Sequence, residues 1–491
     1  MWTVFIFYAL LLGYASMHHE LWGDEVHSWN IAKGSGSYID LIANRRYEGH
    51  PPAWHTVLWT ISKFTHKVAY MQVAQWIIAC GVVFMILFYA PFARSTRVLI
   101  PFGYYFLFEY GVLSRNYALG VLFACAICLI IRKDFKYKPV LYYVLLFCMS
   151  NVHLLALLLA ASLHLYFLIG MKERKKATKT ILAHTLAGVL VCLPALYFIL
   201  PPSDSELNVH ALLHIWSARQ LTTCYEVPLR AFLPIPAWWR YHFWNTEFLI
   251  AAKDNLSVLR WINPLITLAL LSWVFFILQK NKKSVVLFAV NLVLSLSVSI
   301  SFYSLTTARY TGFVFIGAVV AYWLYCYETT LTQNNIRLVN ILLILQLAGG
   351  VFALSRDIVL PFSNTYQVQA LINEVPSGEK WVTDYWTMNA VVAFTDHPAY
   401  CIDMQKDMSF ILWGPDIAAL QNTPNRYTDG IRHFFQTQGV KSVYMISQSP
   451  LHNLVQTDSL LTHSYRITLV DKREGAIETG SNLYLYQIEA L

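Results

Sequence analysis

Charge is the scarcest property of this chain. Only 13% of its 491 residues are Asp, Glu, Lys or Arg, whereas soluble domains carry about a quarter. With 57% hydrophobic residues, this scarcity excludes one soluble core and indicates a polytopic membrane protein. A basic stripe is also missing. The net charge of +8 is spread between apolar runs, so nucleic acid is not an expected partner. No internal repeat is visible, and no glycine-rich phosphate loop occurs in the polar C-terminal part. Residues 2–17 lack a basic n-region and read as a first span, not as a cleaved signal. Cysteine is scarce outside apolar runs: of eight, only Cys224 and Cys401 fall in aqueous segments. Nothing in the sequence supports a disulfide between those two. Cys125 and Cys128 have metal-knuckle spacing but lie in ALGVLFACAICLII, where they read as small packing residues.

Apolar runs of bilayer-spanning length fill the space left by charge. We expect eleven spans: 2–17, 68–92, 98–113, 117–131, 139–151, 153–170, 180–200, 262–279, 284–304, 311–327 and 338–355. The fifth and sixth are separated by a turn at Asn151 and His153. Five loops, 93–97, 132–138, 171–179, 279–283 and 328–337, together hold 15 Lys or Arg and 3 Asp or Glu. The positive-inside rule makes that set cytoplasmic. The remaining loops, 18–67, 114–116, 151–153, 201–260 and 305–310, and everything after 355, then face outward.

Two outward segments are long. Residues 201–260, with LPIPAWWRYHFW, have the aromatic composition of a membrane interface, so amphipathic helices lying on the bilayer are expected there. Residues 360–491 are more polar, and strand-like and helix-like patterns alternate: KWVTDY, WTMNAVVAFTD, PAYCIDM, GIRHFFQTQG, VKSVYMIS, YRITLVDKR and NLYLYQIEA. They predict a small α/β domain that ends in a hairpin.

The polar residues that stand out all fall in outward loops. Asp24-Glu25 follows the first span, flanked by Leu21-Trp22 and Val26. One reading is a solvated loop pair that helps hold topology. The other is a general base, because an interfacial setting raises a carboxyl pKa. Glu48 and His50 stand just before Pro51-Pro52. They suit a divalent ion or a phosphate, and equally the start of a helix, where Pro is common. Arg115, in the turn before Tyr117, and Arg309, before Tyr310, are either phosphate-binding forks or snorkelling interfacial arginines. His153 sits at a third tight turn, as a packed histidine between helices or as a site residue.

The acid pair in the first outer loop, the His-Pro-Pro helix start and the Arg115-Asn116-Tyr117 turn resemble the GT-C membrane glycosyltransferases. Protein O-mannosyltransferases and the aminoarabinose transferases of lipid A are members. The resemblance covers the layout of residues 1–355 as a transmembrane glycosyltransferase domain, with 360–491 as an extracytoplasmic domain. It implies Asp24 as the catalytic acid or base with Glu25 beside it, Glu48 as a metal ligand with His50 next to it, and Arg115 at the donor phosphate. Tyr117, Arg309 and His153 are grouped with Arg115 as donor-binding residues. Gly49-His50 between Glu48 and the prolines departs from the family pattern and puts the metal role in question.

The implied donor is a sugar on polyprenyl phosphate or diphosphate, so no nucleotide is needed. The acceptor is a glycan, lipid or protein, and one displacement inverts the anomeric centre. A bacterial inner membrane with a periplasmic site is the expected location. Two other classes also fit a polytopic chain. A lipid or polysaccharide transporter or flippase predicts inverted repeats and charges at mid-membrane. A surface polysaccharide polymerase or ligase predicts a large late outer loop, without an acid pair after the first span.

Overall fold

The computed structural model describes residues 1–205, 218–301, 306–395, 397–414, 417, 420 and 422–491. Seven of its helices are long and apolar enough to cross a membrane: Ala69–Tyr89, Leu154–Glu173, Thr178–Ile199, Leu259–Leu278, Lys282–Ser301, Ala308–Glu328 and Gln333–Val359. Three shorter apolar helices, Trp2–His18, Tyr117–Arg132 and Lys138–Ser150, join them. Ten of the eleven expected spans therefore coincide with an apolar helix, and the chain is a multi-pass membrane protein. The fifth and sixth are separate helices joined at Asn151–His153, as the polar residues there predict.

The third expected span, 98–113, is not one helix. It breaks into Arg94–Leu99, a 3-10 turn Ile100–Phe102 and a π-helix Tyr105–Glu109. Pro101 and Gly103 interrupt the regular ladder, and a π-turn inside a bundle often marks a functional region. Irregular backbone at membrane depth needs protein partners. Tyr8 Oη donates to the Phe106 carbonyl (2.7 Å), and Gln75 Nε2 donates to the Tyr110 carbonyl (2.7 Å). Gly349 and Gly350 let the last long helix close in. A Cβ on Gly350 would meet the Phe102 carbonyl, and one on Gly349 the Pro234 carbonyl.

Within 201–260, the described residues include helix Ala218–Phe232. It packs against Leu259–Leu278, Lys282–Ser301 and Ala308–Glu328, with Val227, Leu229, Ala231 and Phe232 buried. Neighbours satisfy its backbone: Thr267 Oγ1 donates to the Tyr225 carbonyl (2.9 Å), and Gln346 Nε2 to that of Ala231 (2.8 Å). Its apolar face packs against those helices. Trp238 and Trp239 stay exposed, while Trp244 turns inward.

The basic loops gather at one end. Lys283 pairs with Glu173 (3.0 Å) and Glu328 (2.7 Å), Arg132 stacks over Tyr327, and Asn340 bonds Ser95 (2.8 Å). Asp24, Arg115 and Arg309 meet at the opposite end, beneath the C-terminal domain.

That domain holds six strands: β1 (Trp381–Thr383), β2 (Ala399–Cys401), β3 (Lys406–Met408), β4 (Ser442–Ser447), β5 (Tyr465–Arg473) and β6 (Leu483–Ala490). Their order is β3-β2-β1-β4-β6-β5. β1 runs parallel to β2 and β4, and the other pairs, including the closing β5–β6 hairpin, are antiparallel. All eight cysteines are free thiols. The domain reaches the first loop through Met388–Val392. Asn30 donates to the Asn389 carbonyl (2.9 Å), and Lys33 to those of Val392 (2.7 Å) and Thr395 (2.9 Å).

Candidate active site

The first loop folds as helix Gly23–Gly34 because Glu25 caps it. Glu25 Oε2 accepts from the Trp22 N–H (3.0 Å), the usual service of an acid at the third helical position. The same oxygen lies 3.1 Å from His19 Nε2, and Oε1 accepts from the Ser114 N–H. His19 Nδ1 lies 2.9 Å from Asp357 Oδ1. Burial lowers the His19 pKa, but Asp357 and Glu25 outweigh it and raise it to about 10. Glu25 is fully buried and fully engaged. It ties together the first span, the last span and the 114–116 turn.

Asp24 is turned to a different set of partners, with its side chain 35% exposed. Arg309 Nη1 stands 3.1 Å from Oδ2, and Arg115 Nη2 3.6 Å. Arg115 Nη1 also donates to the Asp24 main-chain carbonyl and reaches Ser28 Oγ (3.4 Å). Burial raises the Asp24 pKa, yet the two guanidiniums outweigh it and hold the carboxyl below its ordinary value. The sequence expectation of a raised pKa is thereby corrected: nearby positive charge wins over the interfacial setting. Aromatic faces support Arg309, with Trp22 and Tyr310 at 5.0 Å and Trp244 at 6.0 Å. Trp244 is oriented by its Nε1 bond to Glu109 (3.2 Å).

Tyr117 is buried, its hydroxyl has no protein partner, and its charge environment includes Arg309, Arg115 and Asp24. His153 lies beside Tyr117, with its Nε2 unpartnered. Its Nδ1 accepts from the Ala156 N–H (3.2 Å) and caps helix Leu154–Glu173, while its ring packs on Phe313 (4.5 Å) and Tyr117 (4.9 Å). It supports Tyr117 from behind.

The expected metal pair does not form a ligand set. Glu48 turns to His27, with Oε1 2.8 Å from Nε2. Burial lowers the His27 pKa, but the Glu48 carboxylate outweighs it and raises it above its ordinary value. Among the described residues, no three His, Cys, Asp or Glu side chains come together to hold a metal ion. The Glu48 carboxylate faces the His27 ring. His50 is half-buried with Nδ1 unpartnered, and burial, then Arg115, pushes its pKa down to about 3. Pro51-Pro52 does start a helix, Ala53–Ser62, whose first N–H donates to the Asn151 carbonyl (3.1 Å).

The structure thus brings together Asp24, Arg115, Arg309, Tyr117 and His50, drawn from four separate stretches. Sequence reasoning missed Trp22, Trp244, His27, Arg45 and His55. Trp22 and His27 lie in the loop already singled out. Arg45, inside Arg45-Arg46-Tyr47, reads as an ordinary solvated base, and no local signal marks its burial.

No family model matches the chain, and no curated protein does. A solved structure does: the crystal structure of ArnT from Cupriavidus metallidurans bound to undecaprenyl phosphate. The two are 12% identical with a TM-score of 0.52, over 99% of this chain and 97% of that one. At this identity the shared property is the fold, and it extends from the first span through the C-terminal sheet. The chain has a GT-C-like fold.

Proposed function

We propose that the chain transfers a sugar from a polyprenyl phosphate or diphosphate to an acceptor on the extracytoplasmic face. The observation that carries this reading is the Asp24 carboxylate between Arg309 and Arg115, at the end of the bundle away from the basic loops. The fold is one in which a similar structure holds undecaprenyl phosphate. Two guanidinium forks on one carboxylate are also a phosphate site waiting for a stronger anion.

The chemistry follows from that competition. The donor phosphate takes over Arg115 and Arg309, which then face the charge that develops on the leaving oxygen. Asp24, relieved of its partners, regains basicity. An acceptor O–H or N–H attacks the anomeric carbon and passes its proton to Asp24. The bond from that carbon to the phosphate oxygen breaks, and the lipid phosphate leaves with the electron pair. One displacement inverts the anomeric centre. Glu25 positions Asp24 by fixing the helix start, and Tyr117 lines the phosphate side. No step of the proposed reaction is routed through a metal. The acceptor is a glycan, lipid or protein, and the membrane is a bacterial inner membrane with the site in the periplasm.

The test is transfer from radiolabelled polyprenyl-phosphate sugars by purified protein in lipid nanodiscs. Asp24→Asn should remove transfer, by ~10²–10⁴-fold, at a wild-type size-exclusion profile. Arg115→Ala should raise the donor concentration needed, and Arg115→Lys should rescue it in part. Wild-type transfer by Asp24→Asn rules the mechanism out.

A further inference from the structure

Arg45, which bonds the His50 main chain, is a guanidinium that the proposed mechanism leaves unused. It is 0% exposed. Nη1 donates to the His50 carbonyl, and the guanidinium carbon lies 4.4 Å over the Phe198 ring. Nε and Nη2 have no hydrogen-bond partner, and among the described residues no carboxylate stands within ion-pair distance. An uncompensated buried charge is strongly unfavourable. Such an arrangement is kept where a ligand completes it.

The groups around Arg45 are of the same kind. His55, on the first turn of Ala53–Ser62, is 2% exposed, and neither ring nitrogen has a partner. Burial, then the charge of Arg45, holds it neutral, so it offers one N–H donor and one acceptor. His50 Nδ1 is unpartnered as well. His50 joins this group to Asp24, because the charges of Arg45, Arg115, Asp24 and Arg309 all reach it. The balance is one-sided. Asp24 is shared by Arg115 and Arg309, and Glu48 is matched by His27. Arg45 is left over.

We infer that Arg45, with His55 and His50, forms a second anion subsite beside Asp24, which takes a further acidic group of the lipid-linked donor. This rests on the glycosyltransferase reading above and deepens it. The group is an oxyanion that a guanidinium fork can grip. It comes either from a second phosphoryl of a diphosphate carrier or from the carboxylate of an acidic sugar. A donor with one phosphate and a neutral sugar would leave Arg45 unpaired, and a cationic amino sugar would be repelled.

Equilibrium binding to the full chain in nanodiscs tests this with four probes. They are undecaprenyl phosphate, undecaprenyl diphosphate, and undecaprenyl phosphate carrying glucose or glucuronic acid. A charged hydrogen-bonded contact should favour a two-acid probe by roughly 10- to 100-fold over its one-acid counterpart. Preference for diphosphate over monophosphate assigns a phosphoryl, and preference for glucuronyl over glucosyl assigns a carboxylate. Arg45→Gln should erase the preference and leave undecaprenyl phosphate binding unchanged, while Arg45→Lys keeps part of it. The wild-type ratios need no variant, so a misfolded Arg45→Gln does not shield the idea. Equal binding of all four probes overturns the subsite, as does an intact preference in a folded Arg45→Gln protein. Failure of every probe to bind sinks the lipid-donor reading instead, and the two failures are therefore distinct.

Discussion

Asp24 and Glu25 are adjacent in the chain and sit in opposite environments. Asp24 stands between two arginines, while Glu25 is locked among His19, Trp22 and Ser114. Their variants should separate accordingly. Breaking a buried ion network costs about 3–5 kcal/mol, so Glu25→Gln should lower the thermal midpoint in detergent far more than Asp24→Asn does. Equal midpoints for the two variants would remove Glu25 from the framework. His19 adds a pH signature. A histidine whose pKa rises on folding stabilises most below its unfolded value, near 6.5, and that stabilisation disappears as pH climbs through about 10. The midpoint should therefore fall between pH 7 and 10, and His19→Gln should flatten the slope. Asp24 behaves in the opposite sense. Its pKa is lowered in the free protein, so kcat/KM, which reports the free enzyme, should stay level well into the acid range. The donor phosphate draws the arginines away in the complex, so the acid limb of kcat should appear at higher pH. Coincident limbs would mean that the donor does not compete for Arg115 and Arg309.

Among the elements, the broken segment 94–113 departs furthest from a simple span. Its irregular carbonyls are answered by side chains from two other helices, Tyr8 and Gln75. The break also supplies function. The π-helix ends at Glu109, which orients Trp244 beneath Arg309, and the turn after it presents Arg115. Gln75→Leu keeps the volume and strands the Tyr110 carbonyl inside the bundle. A buried group left without its partner costs about 1–3 kcal/mol, which should show as a lower midpoint in thermal denaturation. An unchanged midpoint would mean that the segment holds its shape without Gln75. Helix Ala218–Phe232 packs its apolar face on neighbouring helices.

Across the whole molecule, charge separates the two ends. Lys283, Arg132 and their partners collect at one, and Asp24 with the sheet domain at the other. The positive-inside rule assigns the first end to the cytoplasm. Cysteine or tag reporters at 132–138 and 171–179 should therefore read as cytoplasmic, and those at 30–40 and after 360 as external. An external reporter in 171–179 would invert the protein and strip the proposed reaction of its lipid-borne donor on that face. The sheet domain takes part in the site end of the molecule. Asn389 Nδ2 lies 3.0 Å from His27 Nδ1, and His27 in turn holds Glu48.

Composition alone was enough to identify a multi-pass protein, because hydrophobic length and scarce charge are properties of local sequence. Ten of the apolar helices, the acid pair with the Arg115 turn, and the alternating patterns of the C-terminal domain were legible for the same reason. Five of the six strands lie in segments whose apolar and β-branched residues mark them locally, while β3, Lys406–Met408, carries no such signal. Other features were decided only by tertiary packing. The sign of the Asp24 pKa shift depends on Arg115 and Arg309, which stand 91 and 285 residues away in the chain. Glu48 reads as a metal ligand beside His50 until folding turns it to His27. Arg45 reads as a solvated base until Phe198, from the end of another helix, covers it. Charge and burial are set by neighbours that arrive from elsewhere in the chain, and no window of local sequence contains them.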